Sequence, residues 1–546
     1  MNLEARDDRT RDASLVLLAR RIYLDFEPKP RSVEALAIKN GSVVAAGSKQ
    51  DAWAAVGSDA LHCDLGEHVV LPGFIDAHIH LAGYALARRR LRIMADETAE
   101  QVLSKVGVAA ASRSKGQFIV GRGWDHAGWG SWPTARMLDE VAPNHPVALT
   151  RKDGHAVWVN SAAMTLAGID AHSATPEGGE IVLHDGRPTG ILKETAQRLV
   201  GSIIPAESAK QRKQALLSAF EALWRHGIVG CHDMGFLGSG GLELHKDLTD
   251  LQRDGQLGQR VVWYVLREAF DQALEAGLHV DRGDEWLRLG GLKLFLDGTL
   301  GSQTAHMIRP FEGQSDNLGL PTMSEAAFRD WVVRAAGAGL PTAVHAIGDG
   351  ANRVALDGFA YARSQRASTA PRLLHRIEHA QVLDPQDIPR FAELDIVASM
   401  QPVHLRADLD VASRFWGERC AHAYAWRALQ DTGAAMAFGS DAPIETASVL
   451  EGLRSARLRQ NPHGLPEGGW HAEQSMELGP ALHAYTAGAA AAAGQRATLG
   501  SLTPGKRADL IALDQDPLTS PPESLPELSI DATMLNGHWV FDAIRG

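Results

Sequence analysis

Short β-like runs of apolar residues occupy both ends of this chain, and strands alternating with amphipathic helices fill the middle. From Leu15 the segments LVLLARRIYL, ALAIKNGSVVAAG and HCDLGEHVVLPG read as strands bounded by turn residues. Asn40-Gly41 sits between two apolar runs and predicts a hairpin, because both central positions of a tight turn must tolerate positive φ. The C-terminal pieces ADLIALDQD and ATMLNGHWVFD have the same texture, with a second such step at Asn536-Gly537. The two ends together predict one small sheet domain assembled from residues 14–72 and 496–546. Residues 1–13 are polar and aperiodic and read as a flexible tail.

Between these ends eight short buried-strand candidates recur: GFIDAHIH, GIVGCHDMG, RVVWYVLRE, LGGLKLFLDG, PTAVHAIGDG, LLHRIEHAQ, DIVASMQPVH and AMAFGSDAP. Helical patterns at 207–225, 324–338 and 384–394 fall between several of them. Strand–helix alternation implies parallel βαβ units, and eight of them favour a closed (β/α)₈ TIM-type barrel, over residues 73–495, rather than an open sheet. One interval, 82–205, is too long for an ordinary βα connection. It holds a helical stretch at 97–114, strand-like pieces at 117–123 and 146–151, and a hairpin signal at Asp185-Gly186. It reads as a subdomain inserted after the first strand, placed to act as a lid or substrate wall.

Composition narrows the class. Hydrophobic residues make up 45% and charged residues 22%, the balance of a globular chain rather than a disordered one. The formal net charge of -12 would repel phosphate backbones, so nucleic acid is not the expected partner. Cys63, Cys231 and Cys420 are scattered, which argues against a disulfide framework or a thiolate metal site and for buried free thiols. No secretory leader and no membrane-length apolar run is legible, so a cytoplasmic protein is the expectation.

The chemistry gathers at strand ends. His78 and His80 lie two apart at the end of the first strand, and residues two apart face the same side. Lys293 stands within the apolar fourth strand, where a lysine is costly unless paired, neutralised or modified. His345, His379 and Asp441 end the fifth, sixth and eighth strands. Singly, each has a structural explanation: a histidine at a strand end is commonly a hydrogen-bonded core residue, and Asp441 could serve as a cap or turn residue. Jointly they form a metal-ligand pattern. Asp297 and Asp349, each followed by glycine, read as turn-formers.

The segments LPGFIDAHIH, GRGWDHAGW, DGHAVWVNS, LKLFLDGTLGS, AVHAIGDGAN, RIEHAQ, SMQPVH, FGSDAPI and GSLTPGKRADLIALDQDP span nearly the whole chain beyond residue 15. Through them the chain resembles the amidohydrolase superfamily, in particular its YtcJ-like, N-substituted formamide deformylase-like branch. The resemblance implies a (β/α)₈ barrel with a composite β-sandwich and one or two divalent metals, usually zinc. It implies that His78, His80 and Asp441 ligate the more buried ion and that His345 and His379 ligate the second. It further implies that Lys293, carboxylated by CO₂, bridges both. Imidazole and carboxylate suit zinc, and burial leaves a lysine with the neutral amine that captures CO₂. Glu194, in GILKETAQ, is a rival source of a carboxylate, although that segment also reads as a helix start.

The activity implied is hydrolysis of an amide-type C–N bond, such as an N-acyl or N-formyl amide, with Asp441 as general acid and base. His155 is the insertion's candidate for polarising the scissile carbonyl. Trp124, Asp125, Trp129, Gln401 and His404 are candidate substrate contacts, against the plainer expectation that Trp124, Trp129, Trp132 and Trp158 pack the insertion's own core. The same metal site could act on carbamates, cyclic amides or esters, or support isomerisation or decarboxylation. A non-catalytic scaffold is the reading from another class. The expected partner is a small amide-type substrate, with no membrane partner; a homodimer is left open.

Overall fold

Eight parallel strands carry the middle of the chain: Phe74–Ile79, Ile228–Asp233, Arg260–Leu266, Leu287–Phe295, Thr342–Ala346, Arg376–His379, Val397–Met400 and Met436–Phe438. This is a computed structural model, and it describes residues 14–94, 97–126, 128–152, 155–176, 178–235, 242–280, 283–365 and 371–545. The tail expected at 1–13 lies outside the described residues. Each barrel strand pairs in parallel with the next in chain order. Just beyond the last strand the chain rejoins the first: Asp441 N–H donates to His78 O at 2.7 Å, and His80 N–H to Ala442 O at 2.9 Å. That approach requires a glycine, since a Cβ on Gly439 would lie 2.4 Å from His78 N. All eight sequence segments thus become strands of a (β/α)₈ barrel, read as near-continuous apolar runs because both faces are covered.

The helical signals appear where expected, as Ala209–Arg225, Glu325–Gly337 and Ile388–Glu393. The second is started by Ser324, whose side chain accepts from Ala327 N–H.

The chain ends build one eight-stranded sheet. Its order is His538–Asp542, Ile530–Leu535, Leu510–Leu513, Val69–Pro72, Leu15–Asp25, Arg31–Lys39 and Ser42–Gly47, with Leu61–Asp64 pairing with Leu15–Asp25 as a side branch. Both Asn-Gly steps turn as the sequence expects, with φ of 53° and 71° at Asn40-Gly41 and 53° and 78° at Asn536-Gly537. Val43 N–H donates to Lys506 O and Ala508 N–H to Gly41 O, both at 2.8 Å. The sheet therefore curls, bringing its far strands to the C-terminal ones over a shared core of Leu17, Ile22, Leu36, Val43, Val70, Leu510 and Met534. The three cysteines are buried and free. Among the described residues no helix is long and apolar enough to cross a membrane.

Residues Ala85–Ala215 form a compact unit of their own, distinct from Met1–Tyr84 with Leu216–Gly546. Its six strands run in the order Gly179–His184, Arg187–Glu194, Ala156–Val159, Val147–Arg151, Ile119–Trp124 and Leu91–Arg92. The hairpin at Asp185-Gly186 has φ of 48° and 72°, and the helix expected at 97–114 spans Ala99–Ala111. Val102, Ile119, Trp124, Leu138, Leu149, Trp158 and Ile191 pack its core.

Candidate metal centre

His78 and His80 emerge at the C-terminal end of the first strand with their tautomers set by what lies behind them. His78 Nδ1–H donates to Glu378 Oε2 at 2.7 Å, and both side chains are fully buried. His80 Nδ1–H donates to Gly235 O. A carboxylate or carbonyl oxygen only accepts, so each ring carries its proton on Nδ1 and turns an Nε2 lone pair outward. Both lone pairs meet Asp441 Oδ1, at 3.4 Å from His78 and 3.0 Å from His80. Neither His78 Nε2 nor Asp441 Oδ1 has an aligned hydrogen-bond partner, and both atoms are buried.

Lone pairs facing one another at such distances repel unless a cation or proton lies among them. A tetrahedral ion with bonds of about 2.0–2.1 Å spaces its ligand atoms by about 3.3 Å, the spacing seen here. His379 adds a third group: its ligand atom, with those of His78 and Asp441, lies within 4.8 Å of the others. Its Nδ1 is also buried without a partner. The donor set therefore suits a divalent cation such as zinc. Asp441 and His379 have φ of 60° and 73°, a left-handed conformation that costs a non-glycine residue of order 1–3 kcal/mol and is retained where surrounding structure enforces it.

Charge follows the same logic. Burial opposes ionisation of Asp441, but the hydrogen bond from His404 Nε2 to its Oδ2 at 3.0 Å, with the charge that His78 and His80 place at Oδ1 whenever they are protonated, holds the carboxyl well below its usual range. Burial also works against protonating His80, yet Asp441 raises its pKa. Burial pushes His379 well below its ordinary value. His345 falls to about 3 through burial and the nearby Lys293 charge, and is neutral. Its Nε2–H donates to Gly298 O at 3.0 Å, and its ring centroid is 4.5 Å from that of His379. Lys293 is 1% exposed, and burial lowers its pKa to about 8.

Of the six expected metal ligands, His78, His379 and Asp441 bring their ligand atoms within 4.8 Å of one another, His80 reaches Asp441 and His345 lies against His379. The first three cross the two sets that the resemblance implies. Of the candidate substrate contacts on the barrel, His404 donates to Asp441, and Gln401 is buried with its amide donating to Ser399 O at 3.1 Å. Asp349 accepts from Ile308 N–H at 2.8 Å. Asp297 is a buried backbone cap, accepting from His306, Ile347 and Gly348 N–H.

The remaining candidates belong to the six-stranded unit. Trp124 is fully buried there, its indole N–H donating to Leu149 O at 2.7 Å and its ring stacked on Trp129 at 5.9 Å. Asp125 pairs with Arg151 at 2.8 Å and Lys152 at 2.6 Å. His155 Nδ1 meets Glu194 Oε1 at 3.1 Å, both side chains being more than half exposed. Glu194, with φ of 50°, ends a strand and stands immediately before the helical turn Thr195–Gln197, so the segment is also the helix start that the sequence suggested.

Sequence reasoning missed Asp76, Arg376 and Glu378. Asp76 Oδ1 accepts from His78 N–H and Ser440 N–H, both at 3.0 Å, and ties the first strand to the last. Arg376 and Glu378 are fully buried and paired at 2.5 Å. Two charges at alternate positions of a fully buried strand, beside His379, carry the same signal that singled out Lys293.

A model of the amidohydrolase family matches residues 62–541. The chain is 33% identical over 493 residues to Protein LONG AFTER FAR-RED 3 of Arabidopsis thaliana, covering 88% of this chain and 84% of that protein. It is 30% identical over 530 residues to the putative amidohydrolase YtcJ of Bacillus subtilis (95% and 98%). With the N-substituted formamide deformylase of Arthrobacter pascens it shares 29% over 527 residues (92% and 94%). Among solved structures, an uncharacterized metal-dependent hydrolase from Pyrococcus furiosus superimposes with a TM-score of 0.77 at 30% identity, covering 93% of this chain and all of that one.

Proposed function

The chain belongs to the amidohydrolase family, and from that premise we propose that it uses divalent metal to hydrolyse a C–N bond in a small amide-type substrate, an N-acyl or N-formyl amide above all. The observation that carries this reading is the convergence of the His78 and His80 lone pairs on Asp441 Oδ1 in a buried, unpartnered cluster. The deformylase relative supports the choice of bond.

In this mechanism His78, His80 and Asp441 would hold one zinc ion, His345 and His379 a second, and Lys293 would bridge them as a carbamate. When bound, the metal supplies Lewis-acid polarisation of the carbonyl oxygen and acidifies water toward a pKa of roughly 7. Asp441 takes the proton of the attacking water and returns it to the leaving nitrogen. Its ionised state at neutral pH suits the first of these steps, and His404 keeps Oδ2 oriented. Lys293 forms the carbamate when its neutral amine attacks CO₂, creating an N–C bond and losing a proton. A pKa of about 8 leaves roughly a tenth of the amine neutral at pH 7. His155 and Glu194 enter no step.

A metal-replete preparation, screened against N-formyl amides, N-acyl amino acids, carbamates and aryl amides, tests the reading. Turnover of an amide class, abolished by chelation and restored by zinc, is expected. Metal-loaded protein without amide turnover would move the chemistry to isomerisation or decarboxylation. Protein that binds no stoichiometric metal would leave a scaffold. For Lys293, intact mass is expected to show a CO₂-sized increment that is lost on acidification, and a free amine in active, metal-loaded enzyme would remove the carbamate from the mechanism.

A further inference from the structure

Behind His78 lies a buried ion pair that the mechanism above does not use. Glu378 Oε2 accepts from His78 Nδ1–H at 2.7 Å. Arg376 grips the same carboxylate twice, Nε to Oε1 at 2.5 Å and Nη2 to Oε2 at 3.2 Å. The guanidinium is itself anchored by Ala77 O and Ser399 Oγ, each at 2.5 Å, and by His232 Nδ1 at 2.9 Å. All three side chains of the line Arg376, Glu378, His78 are fully buried.

Burying a full ion pair is a poor route to stability, since apolar residues of similar volume often serve as well. A histidine that faces a metal through one nitrogen, by contrast, gains a fixed orientation and a more basic ligand atom when its other N–H meets a carboxylate. We infer that Arg376 and Glu378 are positioning residues for the metal centre: Glu378 fixes the tautomer and ring plane of His78, and Arg376 fixes Glu378. Ala77 O ties this line to the strand that carries His78 itself, so the ring, the carboxylate and the strand are set by one guanidinium. The inference rests on the proposed role of His78 as a ligand.

The test is metal affinity, measured by competition with a chromogenic chelator for zinc, alongside thermal unfolding of the metal-free proteins. Glu378→Gln is expected to weaken zinc binding by about 10–100-fold. Because it strands the Arg376 charge, this variant could unfold. The double variant Arg376→Met/Glu378→Gln removes both charges, is expected to fold, and should show the same loss of affinity. Glu378→Asp, which keeps the charge on a shorter arm, should recover part of it. Wild-type zinc affinity in the folded double variant would overturn the inference while leaving the metal centre intact. Wild-type protein that binds no zinc at all would instead overturn the reading of His78 on which the inference rests.

Discussion

Asp441→Asn is expected to lower kcat/KM by about 10³-fold or more, the loss that follows removal of a general acid–base group, while the protein stays folded. Asparagine keeps the size and one carbonyl oxygen but cannot take a proton from water. Its amide also places a donor or a neutral oxygen where three histidines now meet a carboxylate: His404 at Oδ2, His78 and His80 at Oδ1. Weaker zinc binding should accompany the loss, so turnover is to be measured at saturating metal. Near-wild-type hydrolysis under those conditions would take Asp441 out of the mechanism. Acid sensitivity offers an independent check on the metal-free protein. The folded pKa of Asp441 lies below its unfolded value near 3.9, so its contribution to stability is complete above about pH 5 and is lost as pH falls through the folded pKa. The asparagine variant should lack that part of the acid transition.

Arg260→Leu should cost about 3–5 kcal/mol of stability, the penalty for leaving one member of a buried pair without the other. Arg260 opens the third barrel strand and holds Asp509 with two bonds, at 2.7 Å and 3.2 Å; its guanidinium also lies 4.5 Å from the Trp286 ring centroid. Asp509 in turn accepts from Asn536 N–H at 2.7 Å, at the turn between the last two strands of the terminal sheet. One pair therefore joins barrel to sheet, and removing the arginine leaves a carboxylate that is 6% exposed with only backbone partners. With an unfolding entropy of about 2.1 cal/mol/K per residue, Tm should fall by roughly 3–4 °C. Adding Asp509→Leu should recover part of the loss, because the stranded charge goes with it. An unchanged Tm in the single variant would mean that the pair stabilises nothing beyond what leucine packing supplies.

Much of the barrel and of its chemistry could be read before any coordinates. A parallel strand buried on both faces must be an apolar run, so a lysine or histidine in it stands out, and Lys293, His345 and His379 stood out for that reason. Arg376 and Glu378 carried the same mark but lay beside His379, and one strand's sequence does not say which of its polar side chains meet each other and which meet a neighbour. His404 shows the same limit from the other side. Its place just after the seventh strand was legible, but its partner Asp441 lies just beyond the eighth, and only the folded barrel brings Nε2 to it.

The sequence by itself determined the eight strands, the two Asn-Gly hairpins of the terminal sheet, and the end of the barrel where the candidate ligands lie. Local physics suffices for these: apolar runs need burial, and a tight turn needs residues that tolerate positive φ. Only the tertiary structure decided which of the candidate ligand atoms come together. His78, His379 and Asp441 come from the first, sixth and eighth strands, and their distances depend on barrel closure at Gly439 and on left-handed backbone at His379 and Asp441. The two histidines of the first strand were always neighbours. What turns their lone pairs to one point is Glu378 behind one ring, Gly235 behind the other and Asp441 in front of both, contacts between residues far apart in the chain.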